Sequence, residues 1–104
     1  MRRGDVWWAE LPGPSGRRPV VLLTRNEAYA FRELVTVAPV TTRIRRIPTE
    51  VALGKKDGLP RRCVANLDTI TTIDKKALTA PLTALMPEKL AAVDRALKFA
   101  LGLR

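Results

Sequence analysis

The sequence contains no histidine, and that absence removes several classes of chemistry at once. Ser-His and Cys-His nucleophiles, ribonucleases that work with paired histidines and most metal sites all depend on an imidazole. The six glycines are scattered through turns and form no Gly-rich phosphate loop, so a P-loop nucleotide hydrolase is excluded as well. Any chemistry in this chain therefore belongs to other side chains.

Cysteine and long apolar runs are equally scarce. The single cysteine, Cys63, has no partner for an internal disulfide, which predicts a reducing compartment and a thiol that acts as a small core side chain. No apolar run approaches the ~20 residues that a membrane span needs, and Asp5 interrupts the N-terminal stretch before the core of a signal peptide can form. We therefore expect a cytoplasmic protein with no membrane partner.

Acidic residues are few beside the basic ones, with 10 Asp and Glu against 19 Lys and Arg and a net charge of +9. Such an excess predicts a polyanionic partner, for which RNA or DNA is the default. The cations concentrate in the middle of the chain, at Arg43, Arg45, Arg46, Lys55, Lys56, Arg61 and Arg62, against Glu50 and Asp57. Composition alone leaves two readings of this stretch open, a nucleic-acid face and a solvated loop surface.

Short apolar and β-branched segments separated by turn residues predict a β-rich chain. The expected strands are Val6–Leu11, Arg18–Thr24, Leu34–Val40, Thr49–Leu53 and Arg62–Asp68. A helical turn capped by Asn26 and a short capped helix over Asp74–Leu78 are expected in the connections, and Pro39 implies a strand edge or a strand end. Adjacent side chains on a strand face opposite ways, so Trp7 and Trp8 cannot enter the same core.

The last element is an amphipathic helix that begins at Pro87 and ends at Gly102. Its apolar stripe consists of Leu90, Val93, Leu97 and Leu101. With 104 residues and 46% hydrophobic content, the chain suits a single domain with a real core. About five strands and one closing helix predict a mainly β fold with short helices, arranged as a small barrel or a curled sheet.

Two adjacent arginines, Arg17 and Arg18, precede the continuous apolar segment Val20–Leu23. A guanidinium anchored to a buried strand is held in position and can bind a phosphate through two parallel hydrogen bonds. Arg18 is therefore the strongest candidate for a phosphate contact, and Arg17, on the loop side, is expected to belong to the charged rim.

Five motifs resemble the MazF/PemK toxin family in order and spacing, over essentially the whole chain. They are Arg3–Leu11, Arg18–Leu23, Val37–Thr42, Asp68–Asp74 and Ala96–Leu103. The resemblance implies one toxin domain over residues 1–104, an SH3-like barrel and a homodimer. It also implies a ribosome-independent endoribonuclease that cleaves single-stranded RNA, and a cognate acidic antitoxin, similar to MazE, whose extended tail covers the RNA groove.

The same resemblance assigns roles to particular residues. The family's catalytic arginine falls on Arg18 and its catalytic threonine on Thr41. Because the family's reaction uses the 2′-hydroxyl of the substrate as nucleophile, the protein positions the phosphate and stabilises the five-coordinate transition state without a metal or another cofactor. Some members carry an Arg-x-Asp pair whose positions here are Asn66 and Asp68, which makes Asp68 a third catalytic candidate. The residues expected to contact RNA are Arg17, Arg43, Arg45, Arg46 and Asn66.

Two other functions remain open at this point. A toxin of the same fold can act on a protein, as the gyrase-poisoning CcdB toxins do, and the replacement of the family arginine by Asn66 is compatible with a basic module that binds RNA without cutting it. The general base is unassigned, and the loop Pro12–Gly16 is shorter than the family's usual segment, so a different sequence preference is expected.

Overall fold

A computed structural model describes all 104 residues, Met1–Arg104, as seven β-strands and one α-helix. The strands are β1 (Asp5–Leu11), β2 (Gly16–Leu22), β3 (Leu34–Thr41), β4 (Glu50–Leu53), β5 (Cys63–Asn66), β6 (Thr71–Asp74) and β7 (Leu78–Ala84), and the helix is α1 (Pro87–Leu101). Five short 3-10 turns lie in the connections. The predicted mainly β class with a C-terminal helix is confirmed.

One antiparallel sheet contains all seven strands, in the order β4-β5-β3-β2-β1-β7, with β6 paired to β3. The first two strands form an antiparallel hairpin, with Val6 opposite Val21 and Leu11 opposite Gly16. The long strand β3 pairs with β6 through its first half and with β5 through its last two residues. The edge strands of this sheet, β4 and β7, are not paired with each other.

The expected number of about five strands is wrong, because the sequence pattern predicts neither β6 nor β7. Both strands are mostly exposed or half-buried and contain several threonines, so no continuous apolar run marks them. The short capped helix expected between them is present as the 3-10 turn Lys75–Ala77, where Asp74 Oδ1 accepts a hydrogen bond from the Lys76 N–H at 2.8 Å.

Two expectations about local chemistry are also wrong. Pro39 does not end a strand, because β3 continues through it to Thr41. On this side of β3, the pairing with β6 stops at Val37 and the pairing with β5 begins at Val40. Pro39 lies in the gap between them, where its missing N–H is tolerated. Asn26 caps no helix, since its Oδ1 accepts from the Arg3 N–H at 2.6 Å and so links the start of the chain to the turn that follows β2.

The core consists of two apolar clusters on opposite faces of the β1–β2–β3 sheet. Alternate residues of β2 divide between them, with Val21 in the larger cluster and Val20 and Leu22 in the smaller one. Trp7 packs against the smaller cluster, while Trp8 lies on the other side of the strand, as the alternation predicts.

Helix α1 covers the larger cluster with Val93 and Ala96, and Leu90 and Leu97 pack partly against it. Leu101 departs from the predicted stripe and is 53% exposed, whereas the preceding Ala100 packs partly against the larger cluster. The helix begins at Pro87 and is ended by Gly102 in the left-handed conformation (φ 69°), as predicted. The single helix, α1, has neither the length nor the apolar content that a membrane-spanning helix requires.

Candidate functional site

Strand register brings Arg18 and Thr41 together at the point where β2 and β3 separate. The last paired residues are Val20 and Pro39, and the same register continued by two residues places Arg18 opposite Thr41. Cross-strand partners project to the same face of a sheet, so both side chains face one cleft. Pro19 has no N–H to donate toward β3, which explains why the ladder ends here and leaves room between the two strands.

The cleft has a volume of about 180 Å³ and contains three cations. It is lined by Arg18, Pro39, Thr41, Arg43, Arg45, Asn66 and Thr69, a set that includes no carboxylate. The ion pairs of the protein lie elsewhere, between Arg3 and Asp94 and between Arg17 and Glu10. Three arginines without a counter-charge in one concave site attract a phosphate group, and we call this site the arginine cleft.

Arg18 is half-buried, and the preceding loop orients it. Its Nε donates to the carbonyl oxygen of Ser15 at 3.2 Å, which leaves the two terminal nitrogens for a ligand. Gly16, with φ at 57°, makes the turn from that loop into β2, a conformation that a residue with a side chain rarely adopts. The guanidinium is therefore tethered at one edge and open at the other.

Thr41 is placed to donate a hydrogen bond into the cleft. Its Oγ1 accepts from the backbone N–H of Arg43 at 3.1 Å. Because a hydroxyl has one hydrogen in addition to its acceptor lone pairs, this contact leaves the hydrogen free for a phosphate oxygen. The same contact ties the first cation of the loop that follows β3 to the end of the strand.

The loop between β3 and β4 supplies Arg43 and Arg45, and a carboxylate of β4 holds it. Glu50 Oε1 accepts from the backbone N–H groups of Arg45 at 2.9 Å and of Arg46 at 3.0 Å. Arg46 has a φ of 58°, the one positive value outside glycine, and its side chain is not among the cleft residues. From the sequence, Glu50 was considered only for its negative charge among the basic residues. An isolated acidic residue in a basic stretch could have indicated that its carboxylate binds the neighbouring loop.

Asn66 reaches the cleft from the end of β5, whereas Asp68 does not. The Asn66 Oδ1 accepts from the Asp68 N–H at 2.9 Å, so the amide nitrogen is the group that this side chain can offer to a ligand. Asp68 Oδ2 accepts from the Thr49 hydroxyl at 2.6 Å and lies outside the cleft lining. The neighbouring Thr69 lines the cleft and was missed, because a threonine in a turn carries no distinctive sequence signal.

Arg17 and Arg18, adjacent in sequence, have different environments. The Arg17 guanidinium lies 4.4 Å from the centre of the Trp8 ring, and its Nε is 3.8 Å from Glu10 Oε1. Arg17 is exposed and belongs to the rim, as expected, because alternate residues of a strand face opposite ways.

The arginine cleft opens into a larger depression of about 450 Å³ that shares Arg18, Pro39 and Thr69 with it. The remaining walls of that depression are Leu11, Pro12, Ser15, Thr71, Thr72 and Ile73. An apolar pocket of about 230 Å³ beside Trp8 shares Thr41 with the cleft. A surface of this extent suits a segment of a chain molecule better than one small anion.

Two groups have shifted ionisation, and neither lines the arginine cleft. Burial raises the pKa of Tyr29 to about 12, against the weaker opposing effect of hydrogen bonding with the Thr24 side chain. The Tyr29 hydroxyl itself donates to the carbonyl oxygen of Thr24 at 2.8 Å. Burial also raises the pKa of the Cys63 thiol, and the Asp57 carboxylate adds to that shift. A buried thiol with a raised pKa is a packing group and a poor nucleophile, as expected from the sequence.

Comparison with known proteins gives a consistent result. Residues 2–101 match the family model described as the PemK-like, MazF-like toxin of type II toxin–antitoxin systems. The chain is 39% identical over 99 residues to a Mycobacterium tuberculosis protein named probable endoribonuclease MazF5, a match that covers 94% of this chain and 90% of that protein.

Solved structures agree at the level of the fold. The Mycobacterium tuberculosis toxin MazF-mt6 superposes with a TM-score of 0.89 at 31% identity, over 96% of this chain and 98% of that one. A mycobacterial endoribonuclease in complex with its cognate antitoxin has the same TM-score at 33% identity, over 100% and 97%. A MazE–MazF complex from Deinococcus radiodurans reaches 0.83 at 28% identity, over 100% and 97%.

Proposed function

This chain belongs to the PemK-like, MazF-like toxin family of type II toxin–antitoxin systems, and on that premise we propose that it is an endoribonuclease that cuts single-stranded RNA in the arginine cleft. The observation that carries the proposal is the meeting of Arg18 and Thr41 in a cleft with three cations and no carboxylate. The 39% identical mycobacterial relative is named an endoribonuclease, which supports the same activity.

The cleft binds the scissile phosphate and stabilises its transition state. The terminal nitrogens of Arg18 contact two phosphate oxygens, and the Thr41 hydroxyl donates to one of them. The substrate's 2′-oxygen attacks phosphorus as the bond to the 5′-oxygen breaks, which leaves a 2′,3′-cyclic phosphate and a 5′-hydroxyl. The negative charge that builds up on the phosphate oxygens is met by fixed donors, so the arginines take the role that Mg²⁺ has in other nucleases.

Proton transfer needs no histidine in this scheme. None of the seven lining residues is a base at neutral pH, so we assign the proton of the 2′-hydroxyl to water or to a phosphate oxygen of the substrate, and a proton from the same acceptor passes to the departing 5′-oxygen. Asp68 acts indirectly, because its backbone N–H orients the Asn66 amide and its carboxylate holds the Thr49 hydroxyl. Arg43 and Arg45 bind flanking phosphates, while Arg17 and Arg46 contribute only to the surrounding positive potential.

Two assemblies follow from the family and from the surface. An acidic antitoxin complements the net charge of +9, and similar toxins have been solved in complex with their antitoxins. A homodimer accounts for large apolar side chains left exposed around α1, which are Met86 (64%), Phe99 (64%), Leu101 (53%) and Leu103 (60%). The single antiparallel sheet, whose edge strands β4 and β7 are not paired with each other, supports an open SH3-like barrel.

Incubation of the purified protein with a mixed RNA pool in EDTA tests the activity. We expect discrete fragments with 5′-hydroxyl and 2′,3′-cyclic phosphate ends, and sequencing of the 5′ ends gives the cleavage motif and the RNA class. Survival of the RNA, or cleavage that is unaffected by Arg18→Ala, refutes the proposal. Binding without cleavage identifies a non-catalytic module, and a DNA-damage response in cells with intact RNA points to a protein target.

A further inference from the structure

We propose that Glu50 is a positioning residue, which holds the loop 43–46 in the conformation that presents Arg43 and Arg45 to RNA. This inference rests on the proposed function. The Glu50 side chain does not itself line the arginine cleft, and its effect on the reaction passes through the backbone of the two loop residues that it binds.

The contacts of Glu50 close the loop from its far end. One carboxylate oxygen, Oε1, receives the backbone N–H groups of both Arg45 and Arg46, and the Glu50 N–H donates to the Ile47 carbonyl at 3.0 Å. The residue itself is fixed, because it begins β4 and pairs with Asn66 of β5. A rigid strand therefore carries the group that shapes the loop.

The loop 43–46 has an unfavourable backbone conformation, and the Glu50 carboxylate that binds it has an unpaired oxygen atom. Arg46 adopts a positive φ of 58°, which residues with a Cβ rarely do. The second oxygen of Glu50, Oε2, is buried and has no hydrogen-bond partner, and buried polar atoms are almost always paired. Unfavourable backbone and side-chain environments cluster at functional sites, where the surrounding structure holds them in place. Here the held segment carries two of the three cleft cations.

Electrostatics alone predicts the opposite effect for this side chain. A carboxylate beside a cationic site repels RNA, so its removal should strengthen binding through the general field. If Glu50 positions Arg43 and Arg45, its removal weakens binding instead, because two phosphate-binding side chains become mobile. The sign of the change separates the two roles.

The experiment compares Glu50→Ala and Glu50→Gln with Glu33→Ala, a matched control that removes one negative charge from an exposed residue elsewhere. Affinity is measured with a single-stranded RNA that is 2′-O-methylated at the mapped cleavage site, and kinetics with the unmodified RNA. For Glu50→Ala we expect Kd and KM to rise about tenfold with kcat within about threefold of wild type, equivalent to a weakening of binding by about 1.4 kcal/mol.

The salt dependence of binding and the conservative variant sharpen the comparison. The slope of log Kd against log salt should fall by about 0.7 for each phosphate that Glu50→Ala no longer neutralises. Glu50→Gln keeps an acceptor oxygen and should stay within about threefold of wild type. Glu33→Ala should bind RNA as tightly as wild type or slightly more tightly.

A double variant shows whether the effect of Glu50 on RNA affinity depends on Arg43 and Arg45. In Arg43→Ala/Arg45→Ala, the further change Glu50→Ala should leave Kd unaltered, whereas an equal further weakening would show general destabilisation and overturn the inference. Binding by Glu50→Ala that equals or exceeds that of wild type also overturns it. If the wild type binds RNA without cutting it, the proposed activity fails, and the Kd series still decides the role of Glu50.

Discussion

Replacement of Arg18 and of its neighbour Arg17 provides a direct comparison of two adjacent cations with different environments. Arg18→Ala removes the two terminal nitrogens that the structure leaves open toward the cleft. The loss of one preorganised donor to a transition-state oxyanion costs about 10²–10³ in kcat, or about 2.7–4 kcal/mol. Arg18→Lys keeps the charge but has neither the forked donors nor the hydrogen bond to Ser15, so we expect a fall of about 10–100-fold.

Arg17→Ala is the matched control, because it makes the same chemical change one residue away. Arg17 stacks on Trp8 at the exposed rim, and an exposed ion pair such as Arg17–Glu10 contributes about 0–1 kcal/mol at most. We expect kcat within about threefold of wild type.

Single-turnover cleavage of a labelled RNA at saturating enzyme isolates the chemical step, and thermal unfolding of each variant verifies that it folds. The assignment of Arg18 is refuted if a folded Arg18→Ala retains kcat within about threefold of wild type. An equally large loss of activity in Arg17→Ala would show that bulk charge, rather than position, governs the rate.

Three further outcomes are expected from the structure. Thr41→Val removes a hydrogen bond to a charged group, which is worth about 1.5–3 kcal/mol, and should lower kcat at least tenfold. Thr41→Ser keeps the hydroxyl and should retain most of the activity. Equal rates for the two variants would exclude a role for the Thr41 hydroxyl in catalysis. Arg46→Gly relieves a positive φ that costs about 1–2 kcal/mol and should raise the calorimetric unfolding midpoint by several degrees, whereas a lower midpoint would contradict the strain. Tyr29 is the single tyrosine, and its absorbance should titrate near pH 12 in the folded protein and near pH 10 once unfolded. Because the folded state keeps the Tyr29 proton that the unfolded state releases, stability should fall as pH rises between about 10 and 12, and a flat profile there would contradict the shift.

Much of the candidate site could be predicted from the residues, and the limits of that prediction are physical. Arg18 was identified because a cation that precedes a buried apolar run is anchored, and the structure adds its hydrogen bond to Ser15. Asp68 was named with it, yet its carboxylate binds Thr49 outside the cleft, because the chain enters a 3-10 turn after Asn66 and no longer alternates like a strand.

The class of the fold, the C-terminal helix between Pro87 and Gly102, and the cationic character of the surface follow from the amino-acid sequence alone. These features depend on neighbouring residues, through periodicity, capping and net charge. Three other features exist only in the folded chain. The strands β2 and β3 separate beyond Val20 and Pro39, Arg18 lies opposite Thr41, and Glu50 binds the backbone of the loop 43–46. Each of these depends on the register of strands distant in sequence, and register is set by packing across the whole sheet rather than by local preference.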